Sequence, residues 1–157
     1  MTTPTRKKIL VAADDSEHGV RAIEFAFATL ANDGDDIVVL NVVNSPTSAF
    51  DFMSLVSGTP EANPTISADD FQDVIKEETR KLIKTVQETH PVRVQVLVHC
   101  RNGDPRHEIL AFADEIEPTF IVVGSHGRSA LKTLMLGSVS AYVVSHARYP
   151  VLVVRRP

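Results

Sequence analysis

The chain has a single cysteine, Cys100, in 157 residues. An internal disulfide framework is therefore excluded, and a reducing compartment fits. Long hydrophobic runs are missing too. The first apolar stretch, Ile9 to Ala13, is only strand length, and nothing resembling a signal peptide or a bilayer-crossing segment occurs. There is no basic excess: Lys and Arg number 16 against 20 Asp and Glu, for a formal net charge of −4. Nonspecific nucleic-acid binding works by neutralising phosphates, so it has little electrostatic support here. Together these shortages suggest a cytoplasmic protein that is expected to bind neither nucleic acid nor membrane. The common chemical motifs G-x-x-x-x-G-K-[ST], G-x-G-x-x-G, H-x-x-x-H, C-x-x-C and G-x-S-x-G are also absent. The six histidines form no metal-spaced pair, and no convincing catalytic set emerges.

What is present is concentrated in one stretch. The chain has only seven glycines, and three of them are Gly124, Gly127 and Gly137. The apolar run Phe120-Ile121-Val122-Val123 leads straight into Gly124-Ser125-His126-Gly127-Arg128. That is a buried strand entering a glycine-punctuated turn. Gly137-Ser138-Val139-Ser140 then opens a segment with Val139, Tyr142, Val143 and His146 at helical spacing, and Ser138 is the expected cap. Strand, glycine loop and helix start are the ingredients of a phosphate site, because small residues let backbone N–H groups approach an anion. The hydroxyls of Ser138 and Ser140 add donors. An ordinary structural reading stays open beside this one: a strand end, a turn and a helix break. For His126, polarising a phosphate competes with simple packing on the turn.

The spacing G-x2-G-x9-G-[ST], filled by Gly124, Gly127, Gly137 and Ser138, resembles the ATP-binding signature of the universal stress protein family. GSHGRSALKTLMLGSVS and the closing YPVLVVRR are similar to that family's nucleotide-binding branch, and the resemblance runs from KKILVAADDSEHG to the last strand. It is weakest between about Pro46 and Pro64. The resemblance implies that Asp14, just past the first strand, contacts the base or ribose side of a nucleotide; by position alone a solvated turn carboxylate is the favoured reading. It implies that adenine lies against the main chain of Val42. The phosphates would follow Val123, Gly124, Ser125, Gly127 and Arg128 and close on Gly137, Ser138, Val139 and Ser140. The implied ligand is ATP, or ADP or AMP, accompanied by Mg²⁺ bound through the phosphates. Asn41 stands where relatives often have histidine, and Thr119 where many have aspartate. Regulated binding with at most slow hydrolysis is the function implied. A nucleotide-independent interaction module is the alternative, and a nucleotidyl-transferring enzyme lacks its loops, S-G-G-x-D-S or H-I-G-H.

The remainder of the chain alternates strand and helix patterns. Strands are expected at Lys8–Ala13, Ile37–Val43, Val92–Val98, Phe120–Val123 and Val151–Val154. Helices are expected to follow Ser16, Ser67, Asp104-Pro105 and Gly137. The helix after Ser67 is expected to bury Phe71, Val74, Ile75, Leu82 and Val86. Asn44–Ser67 is the least patterned part: a loop with a short helix, a lid over the nucleotide, a mobile segment or a partner-binding patch. One α/β domain over residues 1–157 follows, a doubly wound parallel sheet with helices on both faces. The family implies five strands in the order 3-2-1-4-5 and a homodimer through strand 151–154, with a further protein partner open.

Overall fold

The strands form where β-branched runs can be covered from both sides. The computed structural model describes residues 6–43, 68–126 and 135–155. Its strands are β1 (Lys8–Ala12), β2 (Asp36–Val43), β3 (Gln95–Asn102), β4 (Phe120–Gly124) and β5 (Val151–Val154). Its helices are α1 (Glu17–Phe25), α2 (Ala68–Thr89), α3 (Pro105–Ile116) and α4 (Ser138–His146). A π turn, Ala26–Leu30, extends α1. All pairings are parallel and the order is β3-β2-β1-β4-β5, as the family resemblance implied. The chain steps outward from β1 to β3, returns to place β4 beside β1, and leaves in the opposite direction. The reversal lies between β1 and β4. Open α/β sheets hold ligands beyond the strand C-termini at such a point.

Each face of the sheet is sealed by two helices. On one face, Ile9, Val11, Ile37, Val39 and Val122 meet Ala22, Ile23 and Phe27 of the α1 segment and Ile83 and Val86 of α2. On the other, Leu10, Val38, Leu40, Ile121 and Val123 meet Ile109, Phe112 and Ala113 of α3 and Val143 of α4. Burying one such aliphatic side chain contributes about 1.5–3 kcal/mol. No described helix is long and apolar enough to cross a membrane.

Some expectations shift. The third strand begins at Gln95 rather than Val92 and remains an edge strand, with Leu97 exposed. The buried stripe of α2 is Phe71, Ile75, Thr79, Ile83 and Val86, whereas Val74 is exposed. Thr79 satisfies its hydroxyl by donating to the Ile75 carbonyl at 2.8 Å, so a polar residue completes an apolar face. Ser67 and the 44–67 loop or lid lie outside the described residues.

Two buried ionisable groups support predictions. The Asp35 side chain accepts hydrogen bonds from the backbone N–H groups of Lys7 and Asn32, each at 2.8 Å, and its partner ammonium, Lys7 Nζ, lies 3.1 Å away. Burial is the largest single influence and pushes its pKa up, but these hydrogen bonds and the lysine charge outweigh it, so the net shift is downward. A lowered carboxyl pKa gives stability that is present above the unfolded value, about 3.9, and is lost as pH falls through the folded value. Asp35→Ala is expected to cost about 2–4 kcal/mol at pH 7, because it also strands two N–H donors. In urea titrations the gap to wild type should narrow below about pH 4. Cys100 is buried, and burial pushes its thiol up to about 11. A thiol reagent at pH 8 is expected to label it only when denaturant opens the fold, as a timed absorbance assay would show.

Candidate functional site

Beyond the C-terminal ends of β1 and β4 lies a cavity of about 380 Å³, within the range of small-molecule sites. Its apolar wall includes Ala13, Leu40, Val42, Ile109 and Val123. Asp14, Gly124, His126, Gly137, Ser138, Val139 and Ser140 also line it. The register explains the convergence: Ala12 pairs with Leu40 on one side and with Val123 on the other. Of the residues expected in the site, Asp14, Val42, Val123, Gly124, Gly137, Ser138, Val139 and Ser140 therefore share one cavity. Ser125 is adjacent but buried, and does not line it. Gly127 and Arg128 lie outside the described residues.

The first turn of α1 holds the base of this cavity. Ser16 caps the helix, accepting from Gly19 N–H, and Asp14 Oδ1 accepts from both the N–H and the hydroxyl of Ser16. Asp14 is thus a turn residue as well as a wall of the cavity. Gly19 was not singled out in the sequence, yet a Cβ there would sit 2.1 Å from the Asp14 carbonyl oxygen. A Cβ on Gly124 would meet the His18 carbonyl oxygen at 2.7 Å. Helix packing alone therefore accounts for the glycine at position 124. His18 also went unnoticed, because no local pattern links it to Ser125, whose Oγ lies 3.4 Å from His18 Nδ1.

The second half of the site is the start of α4. The N-cap is Gly137, not Ser138, and no side chain caps this helix. Gly137 has φ −61° and ψ 155°, extended backbone open to any residue. Its N–H donates to the Ser125 carbonyl at 2.8 Å, and the Ser140 hydroxyl donates to the Gly124 carbonyl at 2.6 Å. These two bonds tie the helix start to the end of β4. The first N–H groups of a helix have no intrahelical acceptor, and here the residues that carry them, Ser138, Val139 and Ser140, line the cavity. Asp14 is the only carboxylate among the described lining residues, and no described cluster of three or more His, Cys, Asp or Glu side chains could hold a metal ion. That donor set fits a magnesium carried by phosphates, with one carboxylate at hand, better than an all-protein cage.

Comparison with known proteins adds the family context. A sequence profile of the Universal stress protein family matches residues 5–155. Universal stress protein YxiE of Bacillus subtilis is 33% identical over 149 residues, covering 94% of this chain and 98% of that protein. Universal stress protein MJ0577 of Methanocaldococcus jannaschii is 30% identical over 156 residues, covering 96% and 95%. The solved structure of MJ0577 superimposes with a TM-score of 0.67 at 26% identity, covering 96% of each chain. A universal stress protein family structure from Arabidopsis thaliana, with AMP bound, superimposes with a TM-score of 0.58 at 21% identity, covering 96% of this chain and 92% of that one. At that identity the likeness establishes the shared fold.

Proposed function

Because the chain belongs to the universal stress protein family, we propose that it is an adenine-nucleotide-binding member, with ATP as its ligand and Mg²⁺ on the phosphates. The observation that carries this reading is the uncapped start of α4 opening onto a cavity at the β1/β4 reversal. Backbone N–H groups there favour an anion, and the apolar wall at Leu40, Val42 and Ile109 favours a base. Asp14 stands at the polar mouth, where a ribose hydroxyl or base amine can donate to it. Gly127, the second glycine of the family signature, and Arg128 after it are proposed to continue the phosphate path. The AMP held by the Arabidopsis relative agrees with this chemistry. Binding, rather than turnover, is the output: the nucleotide selects a conformation that a partner protein in the cytoplasm recognises during stress.

A second copy of the chain is proposed to pair along β5. This strand ends the sheet order, and its four residues are all only partly buried, an edge that a partner would complete. The test of the nucleotide reading is calorimetry on nucleotide-free protein with ATP, ADP and AMP, with and without Mg²⁺. Saturable binding of one nucleotide per chain is expected. No heat with any of the three would leave the β5 dimer as a nucleotide-independent interaction module.

A further inference from the structure

His126 carries an unexplained atom. Its Nε2 is buried with no hydrogen-bond partner among the described residues, although the residue lines the cavity. A buried polar atom left unpaired is unfavourable, and a ligand that completes its hydrogen bonding relieves that penalty. The other ring nitrogen is engaged. Ser125 Oγ lies 3.2 Å from His126 Nδ1 and 3.4 Å from His18 Nδ1, and the two ring centroids are 5.3 Å apart.

A hydroxyl has one proton. Ser125 can donate to one Nδ1 and must accept from the other, so the two imidazoles hold different Nδ1 states. A doubly protonated His126 can only donate from Nδ1, and Ser125 must then donate to His18. His18 permits this by offering a bare Nδ1 while keeping its proton on Nε2. The imidazolium so arranged presents Nε2–H as the unpaired group. An arriving phosphate stabilises that charge. Of the charged and titratable groups on surrounding elements, Asp14 lines the same cavity, His18 of α1 shares Ser125, and Arg155 follows β5. Asp104 and Arg106, flanking Pro105, neutralise each other as an ion pair, and the α4 residues that line the cavity, Ser138, Val139 and Ser140, carry no charge.

Building on the nucleotide reading above, we infer that His126 is a proton-dependent phosphate contact of this site, with Ser125 and His18 as positioning residues that set its tautomer. Nucleotide binding then takes up a proton, and affinity falls as pH rises. The converse arrangement, with Ser125 donating to His126, makes Nε2 a fixed donor and requires no proton.

The test is calorimetry of MgATP binding in buffers of different ionisation enthalpy between pH 6 and 8, on wild type, His126→Gln and His18→Gln. The wild type is expected to take up as much as about one proton per site and to lose up to about tenfold in affinity per pH unit. His126→Gln should abolish the uptake and His18→Gln should reduce it, with the ligand's own titration cancelling between proteins. Binding without uptake, or uptake unchanged in His126→Gln, overturns the inference and leaves the nucleotide reading standing. No binding of any nucleotide removes both. A readout independent of the variants is the imidazole ¹⁵N spectrum of the wild-type complex. Two protonated nitrogens on His126 are expected, and a bare Nδ1 or a bare Nε2 contradicts the inference.

Discussion

Alanine at Gly19 is expected to lower stability by about 3 kcal/mol or more, an unusually large effect for one added methyl group. The new Cβ would lie 2.1 Å from the Asp14 carbonyl oxygen and 2.7 Å from the Asp14 nitrogen. Both obstacles are backbone, so no rotamer change relieves them. Either α1 moves off the sheet or the Asp14 turn is displaced, and each loses packing of Ala22 and Ile23 in the core. Gly124→Ala meets the same kind of obstacle at the His18 carbonyl oxygen, 2.7 Å away, and is expected to be nearly as damaging. Guanidinium unfolding reads both: the midpoint should fall with little change in slope. A Gly19→Ala protein as stable as wild type would show that α1 does not sit this close to the Asp14 turn.

Valine at Gly137 is expected to do the opposite: keep the fold and lose the ligand. The backbone there is extended, a region valine readily occupies. The glycine is therefore not required by conformation. It lines the cavity at the start of α4, where a phosphate would approach the N–H groups most closely. Nucleotide affinity should drop at least about 100-fold, or about 2.7 kcal/mol, with a circular dichroism spectrum like that of wild type. A folded variant that binds nucleotide normally would move the phosphates away from α4. The three described glycines near this region thus separate: Gly19 and Gly124 are required by helix packing, whereas Gly137 has no conformational requirement and is proposed to serve the ligand.

That separation could not be read from the sequence. Gly124 and Gly137 form one motif in the linear chain, and only the approach of α1 shows that Gly124 has a packing reason of its own. Gly19 was a weak signal: an isolated glycine in an otherwise helical pattern usually marks a close approach. The strands were legible because continuous β-branched runs have few other uses, and the Asp104-Pro105 start of α3 because each residue suits its place, Asp104 accepting from Arg106 N–H. The face of α2 was misread at Val74 because apolar content alone cannot choose between neighbouring stripes when Thr79 belongs to the buried one. Strand order came from the family likeness, since periodicity has no information about which strands adjoin. His18 was invisible because its partner is 107 residues away.

The central claim is that the cavity beyond β1 and β4 binds an adenine nucleotide, and amide NMR spectra recorded during titration with ATP and Mg²⁺ test it most directly. Saturable shifts are expected at Asp14, Val42, Gly124, Ser125 and Gly137 to Ser140, while the exposed face of α2 around Val74 and Arg80 stays unchanged. No saturable shifts up to millimolar nucleotide, or shifts clustered away from this cavity, would contradict it.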